Sequence, residues 1–183
     1  NIPDYDIITS KGSSINIVSF SRDNFNPLNY NGSVVSQSET VCYEVSLISL
    51  ILPNVQLKTG ARSVFYPFFY IELSNITSPS GASNDIIYSN NPNSGRALFT
   101  AAITDVVAPE ITSFVKPNCV MTQIVKFKPN DNFRFSVYLP NGKLFETVEE
   151  DLFSPYEPND KLQIHATFSI KRLDSNENDD YNL

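Results

Sequence analysis

Residues 41–54, VCYEVSLISLILPN, carry the strongest apolar pattern in the chain. Val41, Tyr43, Val45, Leu47 and Ile51 share one parity, opposed by Cys42, Glu44 and Ser46 and then by Ile48, Leu50 and Leu52. A period of two fits a strand buried on one face throughout and on the other only in its second half. A helical stripe through Val41, Val45, Ile48 and Leu52 fits as well. β-branched and aromatic content, the poor helix formers Ser46 and Ser49, and the breaker Pro53-Asn54 decide for a long central strand.

Weaker patterns mark the other elements. Residues 5–9 and 15–20 read as strands around the turn Lys11-Gly12-Ser13. Residues 65–73 put Phe69, Ile71 and Leu73 on one face and Phe68, Tyr70 and Glu72 on the other, with Pro67 marking an entry or an edge. Strands are also expected over 96–104, 111–115 and 120–127. Over 133–139, Phe133, Phe135, Val137 and Leu139 point inward and Arg134, Ser136 and Tyr138 outward. Pro140-Asn141-Gly142 then turns the chain into 143–147, because Asn-Gly tolerates the positive φ of a tight hairpin. The cleanest alternation is Leu162, Ile164, Ala166, Phe168 and Ile170 against Gln163, His165, Thr167, Ser169 and Lys171. Residues 21–38 and 74–95 read as long polar loops, the second with an apolar island at Ile86-Ile87-Tyr88, and 146–160 as an acidic loop. Eight to ten strands and no convincing helix give an all-β, two-sheet antiparallel sandwich, a Greek key or jelly roll in preference to a closed barrel. One domain is expected over 1–173, and an acidic tail over 174–183 that is too charged to pack and should fray.

Composition agrees: 13 Phe, 9 Tyr and 12 Pro with no Trp favour strands and turns in a chain of 183 residues, enough for a sizeable core. The net charge of −7 disfavours a direct nucleic-acid or anionic-membrane surface. No apolar run reaches the ~20 residues of a membrane helix, and the start NIPDYDIITS does not read as a signal peptide. Met121 is the sole methionine, so Asn1 is not an initiator and the chain is expected to be trimmed or processed. Cys42 and Cys119 are expected as two buried thiols more than as a bridge. Asn31-Gly32-Ser33 and Asn75-Ile76-Thr77 match the N-glycosylation pattern, which also arises by chance.

Candidate chemistry is thin. His165, the only histidine, falls on the outward face of its strand, and no Gly-x-Ser-x-Gly elbow is present. His165, Cys42 and Cys119 lack zinc-ligand spacing. Glu146, Glu149, Glu150 and Asp151 could serve as an acid pair or a calcium site, yet match an ordinary soluble loop. Lys58, Arg62 and Arg96 could form a basic patch, with a solvated loop as the plainer reading. Tyr66, Phe68 and Tyr70 share a face and Tyr88 lies in a long loop; these four are candidate subunit-interface aromatics, with core packing as the alternative. No enzyme activity, metal or cofactor is expected.

The succession Ser49-Leu50-Ile51-Leu52-Pro53-Asn54, Tyr66-Pro67-Phe68-Phe69-Tyr70-Ile71-Glu72-Leu73 and Phe133-Arg134-Phe135-Ser136-Val137-Tyr138-Leu139-Pro140-Asn141-Gly142 resembles the penton (vertex) capsid proteins of large icosahedral double-stranded DNA viruses, virophages and their transposon relatives. The resemblance covers about 41 to 173 and implies a single jelly roll of about eight strands, a homopentamer at each fivefold vertex, contacts with major capsid proteins, with minor capsid proteins as secondary partners, and a virion location. It implies no catalytic residue. The chain departs from some such proteins in showing no receptor-binding insertion between strands. A minor or cement capsid protein of the same viruses is a neighbouring reading. A jelly-roll carbohydrate-binding module, stacking sugars on Tyr66, Tyr70 or Tyr88, is the alternative from another class.

Overall fold

A computed structural model of the chain describes residues 5–11, 14–22, 30–33, 41–74, 76, 89–95, 97–104, 112–127, 132–149 and 159–173. Ten strands form among them: β1 (Tyr5–Lys11), β2 (Ser14–Arg22), β3 (Tyr30–Ser33), β4 (Val41–Pro53), β5 (Phe68–Leu73), β6 (Phe99–Ala102), β7 (Phe114–Val115), β8 (Thr122–Phe127), β9 (Asn132–Tyr138) and β10 (His165–Arg172). The only helical pieces among the described residues are 3-10 turns at Ser63–Phe65, Pro92–Ser94 and Asp160–Leu162. No described helix is long and apolar enough to cross a membrane.

Strand pairing runs β6-β5-β9-β3-β2-β1-β10-β4, with β7 and β8 sharing the outer edge of β4. Phe168 on β10 is far from β6 and β9 along this path. Yet its ring lies 6.1 Å from Phe99 on β6 and 5.6 Å from Phe135 on β9. The sheet therefore folds over itself into two layers, β10-β4-β8 facing β9-β5-β6, with β3, β2 and β1 carrying the pairing between them. This is the expected all-β sandwich. The core is aromatic at its centre, with Phe69, Phe99, Phe135, Phe145 and Phe168 all fully buried. One pairing departs from the antiparallel pattern: β1 and β10 run parallel from Ile7↔Phe168 to Ser10↔Lys171. Parallel neighbours need a long connection, and here nearly the whole chain lies between them.

β4 is the long strand anticipated, but its burial changes parity midway. Tyr43, Val45 and Leu47 are buried, then Leu50 and Leu52, while Ile48 is 62% exposed. The cause is a bulge. Opposite β10, Thr167 pairs with Ser49 and Phe168 with Leu47, leaving Ile48 as an extra residue on β4. One extra residue exchanges the faces of all that follows. The two-sided apolar pattern of 47–52 is thus one buried face that crosses over, and not two buried faces.

Several expectations held and several did not. β1 and β2 form the anticipated hairpin, and on β10 Ala166, Phe168 and Ile170 are buried while His165 and Lys171 are exposed. Gly142 has φ +78° in the expected turn, and a Cβ there would lie 2.8 Å from Asn93 Oδ1. The segment after the turn makes two isolated bridges, Tyr138↔Leu144 and Leu57↔Thr147, in place of a strand. β3 lies inside what reads as a polar loop; the ladders of β2 and β9 on its two edges hold Tyr-Asn-Gly-Ser extended despite its poor strand propensity. The Asn31 glycosylation pattern therefore sits in a doubly paired strand, not in a surface loop. Ser136, expected outward, is 3% exposed; it pairs with Glu72, next to the Tyr70↔Tyr138 pair. Asn75, the island 86–88 and the tail 174–183 lie outside the described residues.

Removing the extra residue by deleting Ile48 forces one half of β4 to turn its apolar set outward. We expect that deletion to lower stability by more than Phe168→Ala, which should cost ~3–5 kcal/mol, whereas Ile48→Ser should stay within ~0.5 kcal/mol. Urea midpoints of the three variants check this, and a deletion variant as stable as the parent would show that the bulge does not set the burial pattern.

Candidate functional site

The bulge lies where the outer edge of β4 loses its neighbours. On that edge β8 pairs with β4 from Val41↔Phe127 to Ser46↔Thr122, and β7 takes over only at Leu52↔Val115 and Pro53↔Phe114. Between them, residues 47–51 have no strand partner on this edge among the described residues. The chain leaving β7 crosses to the other layer instead. Ala102 N–H donates to Asn118 O at 2.9 Å, and Asn118 N–H to Ala102 O at 2.7 Å. After the chain enters β8, Gln123 Nε2 donates to Leu98 O at 3.2 Å. These bonds close the sandwich along this side and leave a cleft of about 230 Å³ over the gap. Leu47, Ile48, Leu50, Pro117 and Cys119 supply its apolar wall, and Ser49, Thr104, Lys116 and Asn118 its polar rim.

A buried polar clasp fixes one end of this opening. Asn54, 2% exposed, donates through Nδ2 to Thr112 O at 2.8 Å and through its backbone N–H to Ser113 O at 2.9 Å. Its Oδ1 accepts from Val64 N–H at 3.3 Å, and its carbonyl accepts from Arg62 Nη2 at 2.8 Å. Ser63 Oγ donates to Pro53 O at 2.5 Å. The end of β4, the following loop and the entry to β7 are thereby tied at one side chain, since a buried amide left unpaired is costly.

Cys119 and Cys42 are free thiols, Cys42 buried and Cys119 half-buried in the cleft wall. Burial pushes the Cys119 thiol above its ordinary value, and a hydrogen bond with the Met121 backbone offsets part of this. Burial likewise raises Tyr43, with the Arg172 charge pulling the other way.

The sequence-derived candidates do not meet in one place. Tyr70 is 3% exposed, with the Phe68 ring edge-on at 5.2 Å. The Tyr66 hydroxyl is hydrogen-bonded to Thr59 Oγ1; Tyr88 lies outside the described residues. His165 is exposed and shares a hydrogen bond of 3.2 Å between Nε2 and Thr167 Oγ1. Glu146 pairs with Lys58 at 3.7 Å, whereas Glu149 accepts from Asn159 Nδ2 at 3.1 Å, so these two acids are drawn to different partners. Arg62 donates through Nη2 to the Asn54 carbonyl. Glu150, Asp151 and Arg96 lie outside the described residues. No group of three His, Cys, Asp or Glu suited to a metal occurs among the described residues. The cleft residues Ile48, Lys116, Pro117 and Asn118 were not distinguished by sequence. Their one trace is the parity change inside Ser-Leu-Ile-Ser-Leu-Ile-Leu.

Fold and cleft together define an all-β sandwich whose described surface offers an opening of mixed polar and apolar lining beside the β4 gap. No family model matches the chain. It is 35% identical over 165 residues to "Uncharacterized protein 198R" of Invertebrate iridescent virus 6, covering 88% of this chain and 34% of that protein. It is 28% identical over 163 residues to "Uncharacterized protein 069L" of Invertebrate iridescent virus 3, covering 88% of this chain and 38% of that protein. The chain spans somewhat over a third of the length of these curated relatives, and both are viral proteins.

Because Cys119 and Tyr43 are acids whose deprotonation the fold resists, the stability they contribute is complete below their ordinary values of 9.0 and 10.0 and is lost as pH rises through the raised values. Urea midpoints taken from about pH 7 to about pH 11 should fall at the alkaline end, and Tyr43→Phe should flatten that fall. A slope unchanged by Tyr43→Phe would remove Tyr43 from the account.

Proposed function

We propose that the chain is a structural capsid protein of the vertex type: a single jelly roll, five copies of which close a ring at each fivefold vertex of an icosahedral virion and touch neighbouring major capsid proteins. The observation that carries this is the similarity to proteins of two iridescent viruses over 88% of a chain that folds as an all-β sandwich. The motif resemblance to penton proteins supplies the specific role. A ring-forming subunit needs two different complementary faces. Ile48, Phe65, Phe114, Val120 and Val148 stand exposed on separate segments of the described surface, and exposed apolar groups are what such faces are built from.

A minor or cement capsid protein would share the fold and the relatives, and the penton-like motifs favour the vertex. A sugar-binding module is less well served. Tyr70 is buried, and Tyr66 packs half-buried against the core with its ring 6.2 Å from Phe69, whereas sugar stacking needs an open ring face. On this proposal the chain acts by assembly, with no catalysis, cofactor or direct nucleic-acid contact.

Light scattering of the purified chain across protein concentration should give a stable mass near five subunits, and antibody against it should label virions at the fivefold vertices. A single-subunit mass at every concentration, together with label spread over the capsid faces, would sink the vertex role.

A further inference from the structure

We propose that the cleft over the β4 gap is the socket of a subunit contact, and that its occupant is the Val148-Glu149 projection of a second copy of this chain. The socket is preformed. At about 230 Å³ it exceeds the ~150 Å³ cavity that takes up a benzene ring, so a branched aliphatic side chain fits. Its lining is mixed, with apolar side chains from Leu47, Ile48, Leu50 and Pro117 beside Ser49, Thr104 and Asn118, and it includes the exposed Lys116. The fitting partner is therefore an exposed apolar side chain next to an exposed carboxylate. Among the exposed large apolar residues of the described surface, Ile48 belongs to the cleft and Val120 adjoins it through Cys119. Phe65 and Phe114 have no charged sequence neighbour, whereas Val148, 53% exposed, is followed by the exposed Glu149.

The projection is also held in shape. Val148 N–H donates to Gln56 O at 2.9 Å, and Thr147 Oγ1 donates to Glu149 O at 2.7 Å. Little ordering cost then remains for binding. Val148 is tied to the loop that follows β4 and is not among the residues lining the cleft, so the proposed occupant is the side chain of another molecule. Socket and projection are different surfaces, which makes the contact heterologous, the kind that closes rings. The contact rests on the shell assignment only for the number of copies in the ring.

Cys119 in the socket wall makes the contact directly readable. In V148C, treated with diamide, the introduced thiol and Cys119 of a second copy form one S–S bond while two electrons and two protons pass to diamide, giving the hydrazide. A mildly alkaline buffer offsets the raised thiol value. The expected result is a ladder of disulfide-linked species on non-reducing gels, at least tenfold more than in the parent chain, and abolished in V148C/C119S. The charge swap gives a second readout: K116E should weaken association roughly two- to fivefold, and K116E/E149K should restore it. Absence of a Cys119-dependent disulfide at the highest soluble concentration overturns this contact, even where the parent chain is pentameric by mass. A Cys119-dependent ladder that closes at a number other than five upholds the contact and overturns the vertex ring.

Discussion

The single extra residue in β4 is the constraint on which the two layers depend. Without it, the strand that begins by burying Tyr43, Val45 and Leu47 would end by burying Ser49 and Ile51, and Leu50 and Leu52 would meet water. With Ile48 bulged, both halves feed one core. β10 reads the same core with unbroken alternation through Ala166, Phe168 and Ile170, so the adjustment falls wholly on β4. The penalty is local: an exposed isoleucine and a bent strand.

That bend explains the other outer-edge features. A bulged strand twists more strongly than its neighbours; β10 follows β4 through the bulge from Tyr43 to Ile51, but on the other edge the partner changes. β8 follows its first half and β7 touches its end. The segment between them is redirected to the opposite layer, where it joins Asn118 to Ala102 and Gln123 to Leu98. One irregularity therefore produces the strand gap, the closure of the sandwich and the cleft together. The Asn54 clasp keeps β7 at the end of β4, fixing the width of the gap.

What could be read from sequence divides along the same line. Elements whose signal is local were legible: the β1–β2 hairpin, the alternation of β10, the Phe69-Ile71-Leu73 face of β5 and the Gly142 turn. Elements held by neighbours were not. Tyr30-Asn31-Gly32-Ser33 becomes a strand only because β2 and β9 flank it. Ser136, expected outward, is buried next to the Tyr70↔Tyr138 pair. Sharing a face likewise says nothing of what covers that face: Tyr70 proves buried, while Phe68 beside it is half-buried. The cleft was illegible, because it exists only through the register of β4 against three other strands.

An open strand edge is normally a liability, since its unpaired backbone groups invite pairing with any extended chain. The gap along β4 carries the features that discourage this: a bulge at Ile48, a lysine at position 116 and a proline at position 117 along the lining. Main-chain augmentation by a partner strand is thus disfavoured where the cleft remains open. A surface that resists strands but accepts a side chain selects for shape and charge at one point, which is what an ordered assembly of identical subunits requires. Strand addition at the same edge would tolerate sliding register and open-ended growth. On the proposed subunit contact, the β4 edge would disfavour growth by strand addition.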